Sequence, residues 1–193
     1  MIPIPNALPN PDWTRLRARL EAAGHNVPQL LQQPIIVIAL RGLFSNSIGA
    51  PGNDINAYDD AVYVIKPQRN ATPIIHTFNA NTDPTRYGWN PNADKYMARL
   101  KPGAYQMCHR LHRGKYWAFG QASTNVTVER IDADGKVRQT ETGQFGIDLH
   151  PGGNNGTSSE GCQTIPPDQW SRLYNLLHTT AGSDYFPYIL LDA

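Results

Sequence analysis

The pattern of hydrophobic and polar positions along the chain predicts a protein built mainly from β-strands. Apolar residues either form short continuous runs or alternate with polar ones, and turn-forming residues bound these segments. The apolar run 34–40 is typical of a buried strand, Asp134 and Gly135 indicate a tight hairpin, and 79–91 is rich in Asn, Asp and Pro, which predicts a loop. The predicted strands are 34–40, 61–65, 72–78, 104–112, 116–121, 125–131, 137–142, 145–150 and 188–191.

Two helices are predicted, one before and one after most of these strands. Asp12 is placed to cap a helix over 13–23, and Gly24 follows where a C-terminal glycine is favoured. The second helix covers 167–179, begins at a pair of prolines and carries a single apolar stripe. The stripe consists of Trp170, Leu173, Tyr174 and Leu177.

Length, charge and composition narrow the class of protein. The 193 residues carry a net charge of +1 and their basic residues form no stripe, so the sequence predicts no nucleic-acid partner. No apolar run is long enough for a membrane span, which predicts no membrane insertion. Residues 1–12 lack the basic start and apolar run of a secretion signal, so we expect synthesis in the cytoplasm and delivery or release toward any external substrate. The length favours an N-terminal extension over 1–33 and one compact unit over 34–193; it leaves the oligomeric state open.

The segment 145–164 carries the residues best suited to chemistry. Asp148 and His150 lie two positions apart at the end of a predicted strand, so they share one face, and a glycine-rich loop leads from them to Cys162. An imidazolium beside the sulfur would lower the thiol pKa, and Asp148 would raise the histidine pKa and stabilise the ion pair. Backbone N–H groups around Gly161 and Cys162 would hold an oxyanion. The segment therefore predicts a cysteine nucleophile with a histidine base, without a cofactor or metal.

This segment resembles the catalytic motif of L,D-transpeptidases, cysteine enzymes that act on peptidoglycan stem peptides, in a variant similar to phage and prophage proteins. The family carries a histidine on a strand, a variable loop, and Ser/Thr-His-Gly-Cys followed by Arg or Asn. The matching positions here are His150, Ser159, Gly161 and Cys162. Glu160 and Gln163 stand where the family has its second histidine and its Arg or Asn. The resemblance implies a β-sandwich or barrel with a helix following the catalytic cysteine.

The resemblance also implies a reaction. His150 would be the base, oriented by the carbonyl of Pro151, and Cys162 would form a thioester by attacking the bond between diaminopimelate and D-alanine. We expect water to resolve the thioester, as in an L,D-carboxypeptidase or endopeptidase of a phage lysin or toxin. Transfer to a second stem peptide is an open alternative. A non-catalytic wall-binding or virion domain is another, in which Tyr87 and Trp89 would stack on sugar.

Six residues are candidates for contact with the substrate. Arg41 ends an apolar strand and has a guanidinium suited to a carboxylate. Asn81 lies on the predicted loop 79–91, and loops often carry binding residues. The other four flank the catalytic positions and are Gly153, Ser159, Glu160 and Gln163.

Other sites of chemistry are less favoured. Papain-like peptidases place cysteine before histidine, and only His178 follows Cys162. His109 and His112 are three apart on a predicted strand, which puts them on opposite faces, and we interpret them as surface histidines rather than as a metal site. Cys108 is interpreted as a small buried hydrophobe, and the sequence leaves a Cys108–Cys162 disulfide open.

Overall fold

The computed structural model of the chain describes residues 2–46, 48, 55–181 and 185–193. The protein is mainly β, with 43% of residues in strands and 15% in helices. The helices are α1 (Trp13–Ala22), α2 (Val27–Leu30) and α3 (Pro167–Ala181). The strands are β1 (Ile36–Arg41), β2 (Asp60–Gln68), β3 (Ala71–Ala80), β4 (Trp89–Asn90), β5 (Lys95–Leu100), β6 (Gly103–His112), β7 (Tyr116–Gln121), β8 (Val126–Ile131), β9 (Val137–Gly143), β10 (Asp148–Pro151), β11 (Gln163–Ile165) and β12 (Phe186–Asp192). The predicted fold class, mainly β with a short N-terminal helix and a helix after Cys162, is confirmed.

The strands form one large curled sheet and one small sheet. The large sheet has eight strands in the order β11-β10-β7-β6-β12-β1-β2-β3, and the small sheet has the order β4-β5-β8-β9. Curling brings the two end strands of the large sheet together, because Asn81, directly after β3, exchanges two backbone hydrogen bonds of 2.8 Å with Thr164 of β11. The strands β10 and β11 are parallel neighbours, so the loop between them runs back along the sheet edge.

Both faces of the large sheet are covered, which explains the continuous apolar run of β1. Val37 and Ala39 belong to one core cluster with residues of α3, whereas Ile36 and Ile38 belong to a second cluster with residues of α1. This division follows the two-residue period of a strand. Leu20 of α1 is fully buried in the second cluster. Its truncation to alanine would cost about 2–5 kcal/mol.

Residues 2–33 pack on this sheet rather than forming a separate body. The buried side chains of α1 share a core cluster with β1, β2 and β12. The Tyr58 N–H donates to the Pro3 carbonyl, and the Ile2 N–H donates to the carbonyl of Asn154, in the loop that leads to Cys162. Among the described helices, none is both long and apolar enough to cross a membrane.

The observed elements differ from the predicted ones in several places, and α2 and β11 were not predicted. The segment 145–147 is not part of a strand, because the N–H groups of Phe145 and Gly146 donate to Oε1 of Gln121 and β10 begins only at Asp148. The predicted loop 79–91 contains the end of β3 and all of β4. The strand β5 was not predicted, since Met97 and Ala98 are buried in succession and break the alternation of exposed and buried positions.

Candidate functional site

The site lies where β10 ends and β11 begins. His150 of β10 pairs with Thr164 of β11 in parallel register, so the chain leaves the sheet after Pro151 and returns just after Cys162. Hydrogen bonds hold the connecting loop: the Tyr58 hydroxyl donates to the Gly153 carbonyl at 2.9 Å. The Gly153 N–H in turn donates to the Gly156 carbonyl at 3.0 Å. The loop therefore fixes the distance between histidine and cysteine.

A tight turn presents Cys162. The Ser159 hydroxyl accepts the Gly161 N–H at 3.0 Å and donates to the Cys162 carbonyl at 2.7 Å. Gly161 has a φ of +143°, and a Cβ there would lie 2.8 Å from the carbonyl oxygen of Ala98, so only glycine fits without displacing β5. The Gly161 N–H already donates to the Ser159 hydroxyl, so the prediction that it would hold an oxyanion is wrong. The Cys162 N–H is the candidate that is left.

His150 lies close to the sulfur of Cys162. A ring nitrogen of His150, a ring nitrogen of His112 and Sγ of Cys162 all lie within 4.8 Å of one another. The carbonyl of Pro151 lies 2.8 Å from Nδ1 of His150, which is the contact that the resemblance implied. A carbonyl only accepts, so Nδ1 carries the proton and Nε2 carries the lone pair. That Nε2 is buried and has no hydrogen-bond partner.

Burial keeps the His150 imidazole and the Cys162 thiol neutral. It lowers the pKa of His150 to about 4, despite the opposing hydrogen bond to Pro151, and the neighbouring His112 adds to the lowering. Burial raises the pKa of the Cys162 thiol to about 12, although the Asp148 N–H, 3.5 Å from Sγ, acts in the opposite direction. The predicted lowering of the thiol pKa by an imidazolium is therefore wrong. A neutral thiol therefore lies beside a neutral imidazole near neutral pH.

The carboxylate of Asp148 pairs with a different histidine from the one predicted. The Nδ1 of His112 donates to Oδ2 of Asp148 at 2.6 Å, and the ring of His112 lies on the ring of His150 with centroids 4.3 Å apart. Burial raises the pKa of Asp148, and the His112 hydrogen bond opposes that rise. A Cβ at Gly120 would lie 1.8 Å from Oδ1 of Asp148, so a glycine in β7 makes room for this carboxylate.

His112 is the residue of the site that sequence reasoning missed. Only 8% of it is exposed, so its interpretation as a surface histidine is wrong. The prediction that His109 and His112 lie on opposite faces is confirmed, since His109 stacks on Trp117 and bonds the Tyr174 hydroxyl on the other side of β6. The sequence feature that could have indicated this position is the turn after His112, because it leads into β7, the strand that pairs with β10.

A cavity of about 450 Å³ opens onto Cys162. Its walls come from β5, β6, β8, the residues before β10, and the Cys162 turn. Its charged lining residues are Arg110, Arg113, Arg130, Asp148 and Glu160. Arg113 and Glu160 form an ion pair of 2.9 Å at the exposed rim, and Asn92 donates to the same carboxylate at 3.0 Å. Of the six predicted substrate contacts, only Glu160 lines this cavity.

The other five predicted contacts lie outside this cavity. Gln163 is fully buried, its amide oxygen accepting from the Tyr188 hydroxyl at 2.9 Å. Ser159 holds the Cys162 turn, and Gly153 holds the loop before it. Arg41 lies in a separate buried network around Thr82, where its guanidinium binds two backbone carbonyls. The buried Asn81 amide donates to the Asp83 carbonyl. None of the five lines the cavity at Cys162, so their predicted substrate contacts there are corrected.

Both cysteines are free thiols, so the structure contains no Cys108–Cys162 disulfide. Cys108 is half-buried in β6, and burial raises its pKa. Trp89, considered for sugar stacking, is 52% exposed and meets Tyr96 edge to face. Tyr87 is half-buried, with its hydroxyl 3.4 Å from Asp83.

Among the described residues, one group has the ligand atoms and the proximity to hold a metal ion, and it is His112, His150 and Cys162. The protein-family models include none that matches this chain. A search of curated proteins and a search of solved structures also find no match. The function therefore has to be argued from the chemistry of the residues.

Proposed function

We propose that the chain is a cysteine-dependent acyl-transfer enzyme acting on peptidoglycan stem peptides, and that it is mainly a hydrolase. The observation that carries the proposal is His150, which has a ring nitrogen within 4.8 Å of the Cys162 sulfur and a buried Nε2 without a hydrogen-bond partner, next to an open cavity. A buried base without a hydrogen-bond partner is costly, and such groups concentrate where chemistry needs them.

The first half-reaction follows from the neutral pair. The Cys162 sulfur attacks the substrate carbonyl carbon while Nε2 of His150 takes the thiol proton, and the Cys162 N–H donates to the developing oxyanion. The carbon–nitrogen bond then breaks, and the imidazolium gives its proton to the leaving amine. A thioester on Cys162 and a neutral His150 remain.

The second half-reaction returns the free enzyme. His150 takes a proton from water as the oxygen attacks the thioester carbonyl. The carbon–sulfur bond then breaks and the imidazolium returns its proton to the sulfur, which releases a carboxylic acid and restores the Cys162 thiol and neutral His150. If the amine of a second stem peptide replaces water, the same residues form a cross-link. The products therefore distinguish hydrolysis from transpeptidation.

Charge at the cavity favours a substrate with carboxylates, as stem peptides have. Arg110 and Arg113 line the cavity with half-exposed or exposed side chains, 41% and 61% respectively. Arg130 also lines it, but it is buried and bonded to Glu141 and the Tyr96 carbonyl, whereas the pairs that Arg110 and Arg113 form with Asp148 and Glu160 leave their own side chains more exposed. Arg110 and Arg113 therefore replace Arg41 as the proposed contacts for a substrate carboxylate.

The test is incubation of the purified chain with peptidoglycan and with isolated muropeptides, followed by mass spectrometry of the products. We expect loss of terminal D-alanine or cleavage of cross-links, together with a protein adduct whose mass equals one acyl stem peptide. Cys108→Ser is the matched control and should give the same products. New cross-links would assign the transpeptidase reaction, whereas unchanged muropeptides without an adduct would contradict the proposal.

A further inference from the structure

The side chains around the sulfur have the composition of a zinc site. Two imidazoles and one thiol have ligand atoms within 4.8 Å of one another, and they come from β6, β10 and the Cys162 turn. Zn²⁺ binds His nitrogen and Cys sulfur at about 2.0–2.3 Å, and sites that exchange ligands use three protein groups and one water. Ligand atoms in a tetrahedral zinc site are then roughly 3.5 Å apart, so side-chain displacements of about 1 Å would bring these three atoms to that spacing.

The outer contacts of both histidines match those of metal ligands. The Nδ1 of His112 donates to Asp148, and the Nδ1 of His150 donates to the Pro151 carbonyl. Metal-binding histidines almost always donate their second ring N–H to a carboxylate or backbone carbonyl in this way. In both residues this leaves Nε2 as the ligand atom.

An independent observation comes from the unpaired atoms. His150 is 2% exposed, yet its Nε2 has no hydrogen-bond partner. A lone pair in that environment lacks the interaction that buried polar atoms normally have. A cation between the three side chains would supply it.

The access to the three side chains from solvent and the charges around them are also compatible with a bound cation. His112 and Cys162 both line the cavity of about 450 Å³, so an ion reaches them from solvent. The Asp148 carboxylate offsets positive charge behind His112, whereas Arg110 and Arg113 on the cavity wall oppose it. On binding, the Cys162 thiol loses its proton to solvent and the thiolate coordinates the metal.

We propose that His112, His150 and Cys162 bind one Zn²⁺ ion, and that the ion reversibly blocks the site. Bound zinc occupies both the sulfur and the base nitrogen, so neither can act on a substrate. The blocking effect rests on the proposed function, whereas the binding itself does not. Free zinc would then switch the enzyme off.

The binding test uses the full chain after treatment with a chelator, titrated with Zn²⁺ in a calorimeter, and Co²⁺ as a spectroscopic probe of thiolate coordination. We expect one ion per chain and a sulfur-to-cobalt charge-transfer band. His112→Asn keeps a donor for Asp148 but removes Nε2, so it should lose most of the affinity, as should Cys162→Ser. Asp148→Asn should weaken binding by about 10–100-fold.

Two matched controls lie on the same strand. His109→Ala removes an imidazole from the opposite face of β6, and Cys108→Ser removes the other thiol. Both should bind zinc like the parent chain. Thermal unfolding of each variant without metal checks the fold, and zinc should raise the melting temperature only where the site is intact.

The outcomes separate the two proposals. Absence of zinc binding to the parent chain, or binding unchanged in His112→Asn and Cys162→Ser, would overturn the metal site. Zinc that binds but accelerates turnover would overturn the blocking role. Zinc binding at these three ligands in a chain that never alters muropeptides supports the metal site and rejects the proposed function instead.

Discussion

Two buried polar clusters of this chain differ in how completely their atoms are paired. In the network around Thr82, the Arg41 guanidinium donates to Oγ1 and the carbonyl of Thr82 and to the Leu100 carbonyl, at 2.8–3.1 Å. The Asp60 carboxylate accepts from the Gly42 N–H and from both the N–H and the hydroxyl of Thr82. Strong donors there meet strong acceptors, and the network joins β1, β2 and the segment after β3.

In the cluster around Cys162, the two histidines form hydrogen bonds through Nδ1, but other buried polar atoms of the cluster have no hydrogen-bond partner. Asp148 and the Pro151 carbonyl take the Nδ1 protons of the two histidines, while Nε2 of His150 and Oδ1 of Asp148 have no hydrogen bond. Asn81 Oδ1 and Thr164 Oγ1, on the bridge that closes the large sheet, are also unpaired. An amide oxygen and a hydroxyl without an adjacent base have no comparable reactivity. An unpaired base beside a thiol is the difference that matters.

We expect hydrogen-bond pairing to distinguish the buried polar residues that stabilise the fold from the proposed catalytic residues. Satisfied polar networks rigidify a fold, and removing one partner leaves a buried group uncompensated. Buried atoms without a hydrogen-bond partner, such as Nε2 of His150, contribute no such stabilisation, so removing them should leave the fold intact. The same kind of substitution should therefore have opposite effects in the two clusters.

The largest expected effect is on catalysis. Cys162→Ala should reduce acyl transfer by about 10⁶-fold, the loss typical of removing a nucleophile, because no other described thiol lies in the cavity. Its free energy of unfolding should change by no more than about 1 kcal/mol. Muropeptide mass spectrometry and denaturant unfolding measure the two quantities. Activity close to that of the parent chain would remove the cysteine mechanism.

His150→Ala should behave in nearly the same way, since it removes the base but no strong hydrogen bond other than that to Pro151. His109→Ala is the control, because that ring lies on the opposite face of β6 and contacts Trp117 and Tyr174. Equal activity losses in both variants would indicate general damage rather than loss of a base.

Arg41→Leu should show the reverse pattern. It removes the guanidinium beside the buried Asp60 and Asp83, and breaking a buried ion pair typically costs about 3–5 kcal/mol. Activity per folded molecule should be unchanged, because Arg41 does not line the Cys162 cavity. Arg17→Leu, which breaks an exposed pair with Glu21, is the control and should cost at most about 1 kcal/mol. A loss of activity without a loss of stability in Arg41→Leu would return Arg41 to the substrate site.

Gly161→Ala should affect both properties. The positive φ and the approach to the Ala98 carbonyl predict a cost of about 2–3 kcal/mol. Displacement of the sulfur should lower activity by about 10²-fold. Gly24→Ala is the control: its φ is +81°, but a Cβ there meets nothing within 4 Å, so it should cost only about 1 kcal/mol and leave activity intact. Equal effects of the two variants would show that the turn tolerates a side chain.

Local pattern in the sequence was enough to predict most elements and the proximity of His150 to Cys162. Alternation and capping residues located α1, α3 and most strands, and the motif located His150, Cys162 and the contact to Pro151. The order of strands in the sheet could not be predicted from local pattern. The approach of His112 to His150 depends on that order, because it requires β6, β7 and β10 to lie side by side. Nor does local pattern reveal whether a polar residue such as Arg41 finds partners. Burial, which reversed the expected thiol pKa, depends on the same long-range packing.

The smallest expected effect concerns Arg130, which lines the cavity yet is paired like Arg41. Its guanidinium binds Glu141 at 2.9 Å, and Lys95 binds the same carboxylate. The Arg130 and Lys95 hydrogen bonds lower the pKa of Glu141 below its usual 4.5.

A carboxyl with a lowered folded pKa binds fewer protons in the folded than in the unfolded state, so it contributes stability above the unfolded pKa and loses it as the pH falls. Glu141→Gln should therefore lower stability by up to about 1 kcal/mol near neutral pH. This difference from the parent chain should vanish as the pH drops through about 4.5 and below. Unfolding curves from pH 7 to pH 3 measure it, with exposed Glu21→Gln as the control. A pH-independent difference would contradict the lowered pKa of Glu141 as the source of the stability, and a loss of activity larger than the loss of stability would indicate that Arg130 acts at the Cys162 cavity.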